Sequence, residues 1–335
     1  MADPRPSLAA VLIVRDEARC IARCLDSVRP WVDRIVVLDT GSRDETIAMA
    51  RGCGAEVSEM MWPDSFAVAR NAALALADAD WNLVIDADEW IDQGGKLLRA
   101  FCAGTPRLGR LWQISQATGE TVTRNRVTRL LPRGVRYTGR VHEQVESDLP
   151  RENIDIALGH DGYVGAQLAR KQCRNHPLLL AELGDAPDDP YLHYQLGKDA
   201  QMRGNERAAS EHFATAVMLS PEGANWRHEM VVCHLHALAK SGQLDEAIDF
   251  AEDQRSAWAH SPDFHFMLGD VLLDCAMADP ANAVGHWLPH ACASWERCLT
   301  IGERPDLEGS VPGRGSHLAQ HNLDLVRAQL AALAA

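Results

Sequence analysis

The stretch WNLVIDADEWI, residues 81–91, ends an apolar run, Leu83-Val84-Ile85, in three carboxylates: Asp86, Asp88 and Glu89. Like charges so close repel, and burial raises the cost of each unless a cation or hydrogen-bond donors compensate. Either the three sit on a solvated turn or they hold something positive. Two more strand-like runs are followed by acids: AAVLIV (9–14) by Asp16 and Glu17, while RIVVLD (34–39) closes on Asp39. Farther along, His160 stands in LGHDGYV (158–164), and RYTGRVHEQVES (136–147) sets His142 and Glu143 behind a glycine-containing turn. Carboxylates with a neutral imidazole suit a divalent cation, Mn²⁺ more than Mg²⁺.

These residues need a frame, and the first half of the chain supplies one. EARCIARCLDSV (17–28), ETIAMARGCG (45–54) and SFAVARNAALALA (65–77) carry apolar residues at helical spacing, between the strand-like runs 9–14, 34–39 and 81–88. AEVSEMMW (55–62) reads as extended. Strand and helix alternating in this cadence predict right-handed crossovers and a parallel sheet. Ligands of such sheets bind beyond the carboxyl ends of the strands, where Asp16, Glu17, Asp39, Asp86 and Asp88 fall. In the turn TGSRD, Thr40, Ser42 and Asp44 are also placed to cap the next helix.

From about residue 188 the period becomes helical throughout. YLHYQLGKDAQMRGNERAASEHFATAVMLSP (191–221) sets Leu196-Gly197, Gly204, Ala209, Phe213, Ala216 and Pro221 at tetratricopeptide-repeat spacing. Small residues let two antiparallel helices approach, Phe213 fills the gap, and Pro221 ends the second helix. Gly242 and Ala247 repeat the turn, FHFMLGDVLL (264–273) opens a third unit whose second helix (290–302) is displaced by an insertion, and residues 316–334 read as a closing helix.

At 335 residues the chain exceeds one comfortable core, which suggests two domains. A net charge of −14 argues against nucleic acid or an anionic membrane surface as partner. The opening apolar run is too short for a secretory leader, and no stretch approaches a membrane span. Nine scattered cysteines, an odd number, fit reduced thiols in the cytoplasm.

VLIVRDEA, VVLDTGSRDET, SFAVARNAAL and WNLVIDADEW occur in the order seen in family 2 glycosyltransferases of the GT-A fold. The resemblance covers about residues 8–165. With tetratricopeptide-type helices attached, the chain resembles bacterial peptide glucosyltransferases that modify bacteriocin precursors. Its amino-terminal pattern is also similar to glycosyltransferases of lipopolysaccharide core assembly. The resemblance implies an α/β GT-A domain, Rossmann-like with a mostly parallel sheet, over residues 1–177, and an all-α TPR-like domain over 178–335. It implies a UDP-sugar donor and Mn²⁺ or Mg²⁺, with Asp88 as direct ligand. Asp86 then reaches the metal, a metal-bound water or the donor ribose, and His160 supplies a further ligand.

By the same resemblance, Asp39 holds the base or ribose, and Asp16 and Glu17 contact the nucleotide. The family more often has Asn at the place of Asp16, and helix capping is the alternative there. Arg70 lies near the nucleotide or pairs with Asp86 or Asp39. Glu143 is the expected base of an inverting reaction, with His142 as the alternative; Gln144 stands where a partner acid is usual. The six arginines between Arg124 and Arg140 offset the diphosphate or pair with acidic neighbours. The implied function is transfer of a hexose, glucose foremost, to Cys or Ser/Thr of a peptide. A lipopolysaccharide or other glycan acceptor is one alternative, and a non-catalytic repeat scaffold that binds partners is another; separately, the repeat domain is a candidate surface for a homodimer.

Overall fold

The computed structural model describes residues 5–116, 122–161 and 166–334. The chain divides into two compact units, Met1–Leu178 and Leu179–Ala335. The strands of the first are β1 (Leu8–Val14), β2 (Arg34–Asp39), β3 (Glu56–Glu59), β4 (Trp81–Val84), β5 (Glu89–Gln93), β6 (Leu108–Gln116), β7 (Val122–Pro132), β8 (Arg136–Thr138), β9 (Gln144–Glu146) and β10 (Arg151–His160). Eight of them form one sheet in the order β3-β2-β1-β4-β7-β6-β10-β5, and β8 pairs with β9 apart from it.

β1 is apolar and almost wholly buried because helices cover both faces. On one face Leu8, Leu12, Leu83 and Ile85 pack with Ile21 and Leu25 of α1 (Ile21–Val28). On the other, Ala9, Val11, Val36 and Leu38 meet Ala73 and Ala77. These belong to the third helix of the unit, α3 (Phe66–Ala77), which follows α2 (Thr46–Gly52). Each enclosed Leu or Ile contributes about 1.5–3 kcal/mol by leaving water. Ser65 starts α3 by accepting the Val68 N–H at 3.3 Å, and Asp78 ends it in the left-handed region at φ 43°.

The sheet is parallel on its amino-terminal side: β1 pairs with β2 and β4, and β2 with β3. β6 and β10 are also parallel, whereas β7 lies antiparallel to β4 and β6, and β5 to β10. Three local expectations shift. The strand expected over 81–88 stops at Val84, because residues 85–88 leave the ladder before β5 begins at Glu89. The helix expected from residue 17 starts at Ile21, since the Cys20 N–H donates to the Glu17 carbonyl in a tight turn first. Of the extended stretch 55–62, only Glu56–Glu59 pairs.

Two more helices complete the first unit: α4 (Leu97–Cys102) and α5 (Ala166–Asp185), the latter running across the division between units. The second unit is helical: α6 (Pro190–Met202), α7 (Glu206–Leu219), α8 (Arg227–Lys240), α9 (Leu244–Gln254) and α10 (Pro262–Ala278) come first. Gly197 is required by packing, because a Cβ there would meet the Phe213 ring at 2.5 Å. Gly269 repeats the device against Trp295, so the third repeat keeps the close approach despite its insertion. That insertion folds as Pro280–Asn282 and a π-helical turn, Ala283–Trp287, before the helix Leu288–Ile301. His317–Ala334 closes the chain. No helix among the described residues is long and apolar enough to cross a membrane.

Candidate active site

The carboxyl ends of β1, β2 and β4 meet at one edge of the sheet, and a cavity of about 280 Å³ opens there. Glu17, Arg70, Asp86, Asp88, His142, Glu143 and His160 line it, together with Thr40, Trp62, Phe66 and Arg174. Most of the residues expected from the sequence are therefore brought together.

Arginines account for much of the crowding of acids at residues 86–89. Arg70, buried on α3, donates to Asp86 Oδ1 at 2.8 Å and to Glu143 Oε1 at 2.5 Å. Arg129, buried on β7, donates through Nη2 to Asp86 Oδ2 and to Glu89 Oε1, both at 2.7 Å. Of the two pairings open to Arg70, it makes the one with Asp86. Burial opposes the charge of Asp86, but Arg129 and Arg70 outweigh it and hold the carboxyl below the usual range. Glu89 is fully enclosed: Oε2 accepts the Asp86 N–H at 2.9 Å, and Oε1 also accepts from Gln113 at 2.5 Å. Glu89 thus shapes the turn that aims Asp86 and Asp88.

Asp88 and His160 form the second feature. Both are buried, and His160 Nε2 stands 3.5 Å from Asp88 Oδ2. His160 ends β10 in register with Ser115 of β6 and Glu89 of β5. Its Nδ1 lies 2.8 Å from Ser115 Oγ, an arrangement that turns Nε2 toward Asp88. Gly159 is needed beside it, since a Cβ would meet the Trp90 ring at 2.2 Å. The separation is too long for a good hydrogen bond and close to the roughly 3 Å between neighbouring ligands of a cation bonded at 2.0–2.2 Å. Among the described residues no cluster of three His, Cys, Asp or Glu forms a complete protein cage, so donor oxygens would have to fill the rest of a shell. The Asp88–His160 pair fits a metal held jointly by protein and substrate.

Asp39 is buried at the end of β2. Its Oδ1 accepts the N–H groups of Gly41 and Ser42 at 2.8 Å each, while Oδ2 is buried with no partner. An enclosed carboxylate oxygen without a donor is costly and matches a ligand N–H or O–H. Asp16, exposed at φ 56°, accepts the Arg43 N–H at 2.7 Å and gives its own N–H to Ser42. It ties the β1 turn to the β2 turn and does not cap α1, which has no side-chain cap. Glu17 donates its N–H to Thr46 Oγ1 at 2.7 Å and accepts from the Cys20 thiol. Asp44 holds the start of α2 through Thr46.

Glu143 and His142 lie on the β8–β9 loop. That loop docks on the start of α3, where Phe66 and Ala67 donate to the Arg140 and Gly139 carbonyls. His142 is exposed at φ 53°. Asp161 is drawn away by Arg19 and Arg23. Sequence reasoning left Arg129 unseparated from its five arginine neighbours and missed Ser115, Gln113 and Arg174. Only Arg129 carried a signal, a lone charge before the buried Leu130-Leu131 pair.

Residues 9–147 match the model of glycosyl transferase family 2. A TPR repeat-containing protein of Synechococcus elongatus is 34% identical over 260 residues, 71% of this chain and 63% of that protein. The prophage-derived glycosyltransferase SunS of Bacillus subtilis is 25% identical over 232 residues, 63% of this chain and 53% of that protein. The chain thus spans just over half to under two thirds of the lengths of these relatives. Among solved structures, a glucosyl-3-phosphoglycerate synthase of Mycobacterium tuberculosis in complex with Mn²⁺, UDP and glucosyl-3-phosphoglycerate is 25% identical. That match covers 32% of this chain and 44% of that one at a TM-score of 0.28. Residues 9–147 are thus a glycosyl transferase family 2 domain, and a TPR-like helical unit follows it.

Proposed function

We propose that this protein is an inverting glycosyltransferase that moves a hexose, glucose foremost, from a UDP-sugar to a Cys, Ser or Thr side chain of a peptide. The observation that carries the reading is the facing pair of Asp88 Oδ2 and His160 Nε2 at 3.5 Å, in the cavity at the strand ends. Asp88 and His160 would hold Mn²⁺ or Mg²⁺, which supplies positive charge to a diphosphate as it departs. The lone Oδ2 of Asp39 accepts from the uracil or ribose, with Glu17 and the turn held by Asp16 closing the nucleotide side. Asp86, with each oxygen on a guanidinium, orients the turn and offers its exposed edge to the ribose.

Glu143, fixed by Arg70, takes the proton of the acceptor, and exposed His142 is the alternative base. A peptide acceptor is favoured because stacked helical repeats hold extended segments well. The same repeats are the candidate surface for self-association as a homodimer. Free thiols at Cys20, Cys24, Cys53, Cys102, Cys233, Cys275, Cys292 and Cys298 suit a reducing cytoplasm. The test is hydrolysis of UDP-glucose without acceptor, with Mn²⁺ and with EDTA. Turnover that needs Mn²⁺ supports the reading. A folded protein that neither binds nor turns over UDP-sugars would sink it and leave the scaffold. Labelled sugar appearing on glycans but never on peptides would move the acceptor to a polysaccharide.

A further inference from the structure

Among the cations lining the cavity, Arg174 is held differently from Arg70. Arg70 is bound on two sides by carboxylates. Arg174, on α5, lies with its guanidinium carbon 4.7 Å from the centroid of the Phe66 ring. Its Nε donates to Asn175 Oδ1 at 3.1 Å. Among the described residues, no carboxylate comes within ion-pair distance of it. Yet Arg174 lines the same cavity as Asp88 and His160, and part of its side chain is exposed. Enclosure lowers its hold on the proton, against the opposing pull of Asp86, Glu143, Glu17 and Asp88.

A guanidinium seldom forgoes a carboxylate in a cavity lined with them. Here the ring fixes the plane of the fork and Asn175 takes its Nε edge, which leaves both terminal nitrogens for another anion. Phe66 is itself held in place, edge-on to Trp62 at 4.8 Å, with its N–H on the Arg140 carbonyl. The ring platform is therefore built into the start of α3.

We infer that Arg174 is a donor-binding residue whose two terminal nitrogens take non-bridging oxygens of the nucleotide diphosphate, in the cavity that Asp88 and His160 also line. This rests on the reading of the cavity as a nucleotide-sugar site. A planar fork matches phosphate oxygens, and its charge stabilises the diphosphate more as the glycosidic bond breaks and negative charge grows. Arg174 would thus serve binding and, to a greater degree, departure of the leaving group.

The test uses the full chain and two probes, UDP and UMP, each with saturating Mn²⁺, titrated against wild type, Arg174→Ala, Arg174→Lys and Phe66→Leu. Arg174→Ala should weaken UDP by about 10–100-fold, the loss of a charge-assisted pair, and UMP much less. Arg174→Lys should recover only part, and Phe66→Leu should fall between, with melting temperatures near wild type. Equal UDP affinity in wild type and Arg174→Ala would overturn the assignment while leaving the site reading intact. Equal losses for UDP and UMP would overturn it too, placing Arg174 at the nucleoside or the α-phosphate and not across the diphosphate. Wild type that binds neither probe would overturn the site reading itself, and this inference with it.

Discussion

Arg129 Nη2 lies 2.7 Å from Oε1 of Glu89, a carboxylate with no exposed surface. Enclosing such a pair costs more than the attraction returns unless the remaining lone pairs and protons are satisfied; Gln113 and the Asp86 N–H serve the Glu89 oxygens, while the Arg129 Nε has no partner. Replacing Arg129 by Met keeps the volume and strands Glu89 and one oxygen of Asp86. Stability should fall by about 3–5 kcal/mol, the usual cost of breaking a buried pair from one side. Urea unfolding measures it. A midpoint within error of wild type would mean that the pair is not part of what holds the strand-end turn.

The Asp88–His160 pair makes a graded prediction. Asp88→Asn removes the charged ligand, so Mn²⁺-dependent turnover of UDP-glucose should drop by more than about 100-fold. Ser115→Ala leaves both ligands and removes what steadies the imidazole. It should cost about 10–100-fold in Mn²⁺ affinity, with turnover restored at saturating metal. Loss in Ser115→Ala that no metal concentration rescues would contradict a role through His160.

β1 and β2 were legible because their apolar runs are buried on both faces and read as strands without context. β7 was not. Its sequence, VTRNRVTRLLP, carries three arginines, and they divide between two kinds of partner. Arg124 and Arg126 lie against the Trp112 ring, while Arg129 reaches the enclosed acids. Glu89 and Asp86 lie 40 and 43 residues from Arg129 in sequence, so only its place before the buried Leu130-Leu131 pair hinted that it turns inward. The acids were legible as a group because they follow strands; their separation into an Asp88 that faces His160, a paired Asp86 and a structural Glu89 required the register of β5, β6 and β10. In the repeats, Gly197 and Phe213 were legible as a pair because the close approach they make is local to one helical hairpin.

His234 predicts a pH dependence located in the second unit. It is buried on α8, edge-on to Phe250 at 4.6 Å, with Nδ1 lacking a partner. Desolvation pushes its pKa down from 6.5 to about 4. A histidine depressed on folding binds fewer protons folded than unfolded between those values. Its neutral form therefore costs nothing above pH 6.5, and stability is lost as pH falls toward 4, by about 3 kcal/mol in all. His234→Leu should flatten this part of the profile in urea unfolding at pH 7.5 and pH 5. An unchanged slope in the variant would assign the acid sensitivity to other groups.

Glu143 gives the prediction that separates acceptor chemistries. Glu143→Gln keeps an oxygen for the Arg70 Nε and so preserves the loop, while removing the capacity to accept a proton. A hydroxyl acceptor holds its proton tightly at neutral pH, so transfer to Ser should fall by about 10²–10⁴. A thiol with pKa near 8.5 is already a few per cent thiolate and strongly nucleophilic, so transfer to Cys should survive comparatively well. Raising the pH should rescue the thiol reaction further and the hydroxyl reaction hardly at all. The measurement is a paired assay on Cys and Ser versions of one accepted peptide, with acceptor-free donor hydrolysis as the control for folding. Wild-type rates on the Ser peptide would remove Glu143 from the proton transfer and bring His142 forward. Equal losses on both peptides would show that its bond to Arg70 positions the acceptor loop, and that the proton leaves by another route.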